Sequence, residues 1–332
     1  MRFLNAIGFL TIIKISPRFY LKKEDYPKVL VYFPVVGLIL GLTASILFVC
    51  LNFIFPLFLT IIFIVCMEVI LTGGIHIDGL ADTFDGIFSG EKDKNKIHQI
   101  MKKGDVGVFG VLAIIFSVAL KAALLYFIAK ELFIRRFLIY DPSLKSAAIV
   151  FKETLPGLLV FVFILVFIPV YGRLSILFLF SRSNTTKREG SLSSAFIDKI
   201  NNEIFILSSI YLSIIFVVAG IFFHLGFLNF SMQGIPFAES ASIIPGEING
   251  LNYSMLLSTI LLTKFNIGIE MIAVIAALKL VIVVILTFLF IAAISRFFTR
   301  RIDTVSGDIF GAVCVLTEIF FLLLNYIVIK FV

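Results

Sequence analysis

Three aspartates recur at i, i+4 and i+7 within Gly73-Gly74-Ile75-His76-Ile77-Asp78-Gly79-Leu80-Ala81-Asp82-Thr83-Phe84-Asp85-Gly86. On a helix, Asp78, Asp82 and Asp85 share one face. Like charges so close repel, and desolvating them beside an apolar phase costs on the order of several kcal/mol each unless something compensates. A divalent cation compensates. Mg²⁺ takes carboxylate oxygens, keeps part of its water and is usually bound together with substrate phosphates. The glycines that flank the aspartates, Gly79 and Gly86, let a bulky ligand come close to the backbone. A plain solvated helix end would mix Lys or Glu with the aspartates, whereas here Leu80, Ala81, Phe84 and Ile87 stand between them. The spacing points to Mg²⁺-dependent phosphoryl-group chemistry, with His76, out of phase with the three carboxylates, as ligand, proton carrier or orienting group.

Two further clusters carry polar groups into apolar surroundings. One is Gly307-Asp308-Ile309-Phe310-Gly311-Ala312 followed by Thr317 and Glu318. Asp308 suits a helix N-cap or a metal ligand, and Glu318, well inside an apolar run, is a functional candidate by default. The other is Ile100-Met101-Lys102-Lys103-Gly104-Asp105-Val106-Gly107, where basic and small residues at a helix mouth suit a phosphate-bearing ligand. Lys102, Asp105 and Arg173 are the candidate substrate contacts. Arg173, between two apolar runs, should face the protein interior, and Lys121 and Lys279, inside such runs, either do the same or snorkel.

The elements that must hold these groups are membrane helices. Sixty percent of the 332 residues are hydrophobic and only 15% are charged, and the mean hydropathy is +1.12. A soluble domain has about 45–50% apolar and about 25% charged residues. Apolar runs long enough to cross a core of about 30 Å must be helical, because lipid offers the backbone no partners. Seven spans are expected, near 29–54, 57–75, 106–129, 155–180, 204–229, 268–294 and 307–330, in one all-α polytopic membrane domain. The segments around 1–28, 92–103, 182–199 and 296–301 hold 18 of the 28 Lys and Arg residues, which assigns them, and the aspartates, to the cytoplasmic side. Segment 131–153 interleaves arginines with Phe133, Phe137 and Leu138 and reads as interfacial or as an extra segment. Cys50, Cys66 and Cys314 read as small buried hydrophobes.

At these residues the chain resembles the cobalamin synthase family, the adenosylcobinamide-GDP ribazoletransferases. Residues 73–86 fit that family's GG-hydrophobic-H-hydrophobic-DGLADTxDG signature throughout. Tyr32-Phe33-Pro34-Val35-Val36-Gly37, Ile100-Met101-Lys102 with Gly107-Val108-Phe109-Gly110, Lys121-Ala122-Ala123-Leu124, Gly172-Arg173, Arg188-Glu189-Gly190 and Gly307-Asp308…Glu318 follow in the family's order. Departures occur at Lys103-Gly104-Asp105, where the family usually carries Asp-Ser-Arg, and at Cys314-Val315, where it often has a polar pair. The chain is also longer than usual for the family, the excess lying in 131–165 and 225–260.

The resemblance implies a transferase of an inner membrane with its active face to the cytoplasm. The hydroxyl of α-ribazole or α-ribazole 5′-phosphate attacks the phosphorus joining cobinamide to GMP in adenosylcobinamide-GDP, and GMP leaves. On this reading Asp78, Asp82 and Asp85 hold Mg²⁺, and Asp308 and Glu318 complete a second metal shell. Asp82 or Asp85 accepts the proton. The partners are the two substrates and the lipid bilayer, without nucleic acid, and oligomerisation is left open. Two rivals are weaker. A CDP-alcohol phosphotransferase would place Arg, not Asp82, after Ala81 and space its aspartates more widely. A secondary transporter would show internal repeats with interrupted helices in matching positions, and none is found.

Overall fold

The computed structural model describes residues 1–21, 23–137, 147–182, 202–233, 269–302 and 306–330, and among these every regular element is helical. The α-helices are α1 (Arg2–Leu10), α2 (Phe33–Asn52), α3 (Leu57–Leu71), α4 (Ile75–Phe88), α5 (Lys94–Met101), α6 (Val108–Phe137), α7 (Ala147–Arg182), α8 (Asn202–Gln233), α9 (Ile269–Ile302) and α10 (Gly307–Lys330). Six of them, α2 and α6 to α10, are long and apolar enough to cross a membrane, or seven spans result if α3 and α4 form one broken span. The chain is an all-α polytopic membrane protein.

Six of the expected spans fall on these helices, although α6, α7 and α9 each run eight residues beyond one expected boundary, but 57–75 does not. Helix α3 stops at Leu71, and the chain turns by 85° into α4. Gly73 and Gly74 make the turn, at φ of 63° and 71°, a left-handed conformation that costs other residues about 1–2 kcal/mol. At about 1.5 Å per residue, α3 is about 22 Å long, short of the core. The bend means that α3 and α4 do not both follow the membrane normal. Segment 131–153 is likewise not a separate element where it is described. Residues 131–137 end α6 and 147–153 open α7, while 138–146 lie outside the described residues.

Contacts divide the chain into two compact units. Met1–Tyr126, Leu165–Leu212 and Ile285–Leu322 form one, and Phe127–Ile164, Ser213–Val284 and Leu323–Val332 form the other. The second is packed by Phe163 stacked on Phe216 at 5.1 Å and by Gly157 and Gly220, which lie against Leu132 and Leu280. Lys279, half-buried, belongs to it.

The first unit carries the site residues. Its axis is α7, on which every residue from Leu165 to Leu177 is buried. Gly37 and Gly41 bring α2 against the backbone of Pro169 and Val166, the close approach by which small residues drive helix association in lipid. Tyr171 stacks on Phe321 of α10 at 4.7 Å. The apolar faces left outside, such as Ile46 on α2 and Leu289 on α9, suit lipid.

Candidate active site

Helix α4 crosses the start of α10 at two glycines. A Cβ on Gly79 would lie 2.7 Å from the carbonyl oxygen of Asp308, and one on Gly311 would lie 2.8 Å from that of His76. This contact brings Asp308 beside Asp78 and Asp82, so that one acidic face, with Asp78 exposed and Asp82 and Asp308 half-buried, is built from two remote stretches of chain. Burial, then the charges of Asp308, Asp78 and Asp85, push the Asp82 carboxyl up to about 6. Lys102, exposed just beyond α5, is near enough for its charge to act on Asp308. The acidic face thus has a cation at its rim.

Asp85 is placed differently. It is buried, and its two oxygens accept hydrogen bonds from the backbone N–H groups of Gly107, at 2.7 Å, and Gly110, at 2.8 Å. Those amides open α6, where the first N–H groups of a helix lack internal partners and the dipole favours an anion. The side chain therefore caps α6 from 22 residues upstream. Gly107 and Gly110 lack side chains where the carboxylate sits. Asp85, expected as a metal ligand or base, is committed to the scaffold.

A second set of charges lies inside the unit. Lys121 of α6 donates to Glu68 of α3 at 2.6 Å and to Glu318 of α10 at 2.7 Å. Arg173 of α7 donates to Glu318 and stands 3.7 Å from Glu68. Two acids and two bases balance, as buried ions must. A small cavity is lined by all four together with Thr72 and His76.

Several expected roles change accordingly. Glu318 has cations on both carboxylate oxygens rather than a place in a metal shell. Arg173 faces the protein interior, as its place between apolar runs implies, 1% exposed and paired with Glu318 and Glu68. His76 is buried at the cavity, away from the aspartate face. Gly79 and Gly86, expected to admit a ligand, admit the protein itself, in the form of Asp308 and the Met101 side chain. Asp105 is exposed and pairs with Lys103 at 3.5 Å. Of the cysteines, Cys50 and Cys66 are exposed and only Cys314 is buried. Glu68 was missed by sequence reasoning, although a lone carboxylate in the apolar run Leu57–Leu71 is the same signal that singled out Glu318. Arg188-Glu189-Gly190 lies outside the described residues.

Among the described residues no three His, Cys, Asp or Glu side chains are grouped closely enough to hold a metal ion by themselves. The donor chemistry nevertheless suits Mg²⁺. Mutually repelling carboxylates form the face, and this ion needs only one or two of them when phosphates and water fill the rest of its shell.

Comparison with known proteins agrees with the motif reading. The family model described as Cobalamin-5-phosphate synthase matches residues 2–263 and 240–326. An adenosylcobinamide-GDP ribazoletransferase of Clostridium tetani is 33% identical over 239 residues, 68% of this chain and 83% of the relative. One of Clostridioides difficile is 29% identical over 328 residues, 99% and 98% of the two chains. One of Acetivibrio thermocellus is 45% identical over 124 residues, 37% of this chain and 50% of the relative. No solved structure matches.

Proposed function

This chain belongs to the cobalamin-5-phosphate synthase family, and on that premise we propose that it joins adenosylcobinamide-GDP to α-ribazole or α-ribazole 5′-phosphate and releases GMP. The observation that carries the reading is the acidic face on which Asp78, Asp82 and Asp308 meet with Lys102 beside them. A ribazole hydroxyl oxygen forms a bond to the phosphorus between cobinamide and GMP. The bond from that phosphorus to the GMP oxygen breaks, GMP keeps the electron pair, and the hydroxyl proton passes to a base. Such a transfer needs positioning and charge neutralisation more than covalent help.

Asp78 and Asp308 hold Mg²⁺ in this scheme. When bound there, the ion neutralises the diphosphate and the charge developing on departing GMP. Asp82 accepts the proton. Before any ion is bound, burial and then the neighbouring carboxylates raise the Asp82 carboxyl to about 6. Burial, the larger cause, persists with the ion in place, so the group is ionised at neutral pH and more basic than an ordinary aspartate. Lys102 meets a phosphate as a point charge. The basic segments flanking the spans support a cytoplasmic orientation of the acidic face.

The test is the purified protein in liposomes with both substrates, with and without Mg²⁺. Mg²⁺-dependent release of GMP and cobamide in equal amounts supports the proposal. Folded protein that makes neither, but transfers the phosphatidyl group of CDP-diacylglycerol to an alcohol, overturns it.

A further inference from the structure

The four paired charges, three of them buried and Glu68 half-buried, are not used by the chemistry proposed above, yet they sit where α4 begins. Glu68 is one turn before the end of α3, and Thr72, which donates its hydroxyl to the Glu68 carbonyl at 2.9 Å, leads into the Gly73–Gly74 bend. The cavity bounded by the four charges is also bounded by His76, in the first turn of α4. His76 is in turn the residue whose backbone Gly311 of α10 touches. The same neutral cluster thus ties α3, α6, α7 and α10 together and borders the turn that aims the aspartate face.

We propose that Glu68 and Lys121 are positioning residues for the transfer reaction. They hold the α3 end and the α6 wall against α10, so that α4 leaves the bend with Asp78 and Asp82 at the right place beside Asp308. The inference rests on the function proposed above for its catalytic consequence. Its structural part stands independently.

The cluster can be divided with its charge still balanced. Glu68 and Lys121 bring in α3 and α6 and also touch the other pair, Lys121 at Glu318 and Glu68 at Arg173, but Arg173 and Glu318 still pair α7 with α10 when both are removed. Removing one ion leaves an unpaired buried charge, which is strongly destabilising. Removing Glu68 and Lys121 together leaves the remaining pair neutral. The variant Glu68→Gln/Lys121→Met therefore restores charge balance while cutting the tie to α3 and α6. Glu68→Asp keeps the charge but draws the carboxylate back by one methylene, and so tests the same tie in a chain with all four charges present.

Two measurements are made on each full-length variant in liposomes. Hydrogen exchange across residues 75–88 reads the order of α4 without substrate or metal. Steady-state kinetics at saturating Mg²⁺ read kcat and KM. A displacement of about 1 Å at a catalytic group is worth about 10²-fold in rate. The double variant is expected to unfold within a few degrees of the parent, to exchange at least about tenfold faster over 75–88, and to lose about 10- to 100-fold in kcat with KM changed less than about threefold. Glu68→Asp is expected to follow in the same direction by a smaller factor. Parental exchange over 75–88 in either variant overturns the proposal, whether or not the parent turns over substrate. Faster exchange with an unchanged kcat overturns it too. A parent that makes no cobamide refutes the proposed function instead, and leaves the exchange result to decide whether the cluster orders α4.

Discussion

Replacing Gly79 by alanine adds one methyl group at the place where the site is assembled. The new Cβ would meet the oxygen, Cα and carbonyl carbon of Asp308 at 2.7, 2.9 and 3.1 Å, against 3.4–4 Å for an ordinary contact. All three are backbone atoms, so no side chain can swing aside, and α4 must part from α10 by about 1 Å. Overpacking of this kind costs about 1–3 kcal/mol of stability. The larger effect falls on the site, because Asp78 rides on α4 and Asp308 on α10, and an ion bound between them tolerates only about 0.2 Å in its ligand distances. We expect kcat/KM to fall about 10²-fold, and the Mg²⁺ concentration for half-maximal GMP release to rise. Gly307→Ala is the matched control. A Cβ there meets nothing within 4 Å, and its rate should stay within about twofold of the parent. A Gly79→Ala enzyme as active as Gly307→Ala would refute the claim that this contact sets the separation of the two carboxylates.

Asp82→Asn is expected to lose about 10²- to 10⁴-fold in kcat at saturating Mg²⁺, whereas Asp78→Ala and Asp308→Ala should show their loss chiefly as a raised Mg²⁺ requirement in a metal titration. Asp85→Ala strands one buried and one half-buried amide at the start of α6. It should therefore lower the melting temperature clearly, by an amount equivalent to about 3 kcal/mol, while Asp78→Ala, which relieves repulsion, should not. Before any ion is bound the Asp82 carboxyl stands at about 6, raised by burial and then by the charges of Asp308 and Asp78, and Mg²⁺ held by those two carboxylates offsets their part of the rise. A plot of log kcat/KM against pH at saturating Mg²⁺ should accordingly fall toward slope 1 on the acid side, with its break at or below about 6. An acid limb that Asp82→Asn retains unchanged would exclude Asp82 as the base.

Most of the helical architecture was legible in the sequence, because a run of apolar residues in lipid has only one way to satisfy its backbone. The span expected at 57–75 failed where that logic weakens. Gly73-Gly74 carry no charge or polar side chain to interrupt the apolar run, so it reads straight through a position where two left-handed residues turn the chain by 85°. The acidic face was half legible. Asp78 and Asp82 declare themselves by helical spacing, and Asp308 by standing at a helix start, but no periodicity reveals that Gly79 and Gly311 press their helices together. Asp85 illustrates the limit most directly. By spacing it is a third member of the row, and only the fold shows that its oxygens face two amides of α6. Glu68 and Glu318 have the same local signature, a carboxylate in an apolar run. Their partners, Lys121 and Arg173, come from other helices, and pairing across helices leaves no local pattern to read.

The buried charge cluster also bears on how the chain is made. Glu68, Lys121 and Arg173 enter the membrane in that order, and the second carboxylate, Glu318, arrives only with the last helix. Until α10 is inserted, the assembly carries one anion against two cations and holds an uncompensated positive charge among apolar helices. A nascent chain stopped before α10 is thus marked electrostatically as unfinished. Synthesis of α10 neutralises the cluster in the same step that delivers Asp308 to the acidic face.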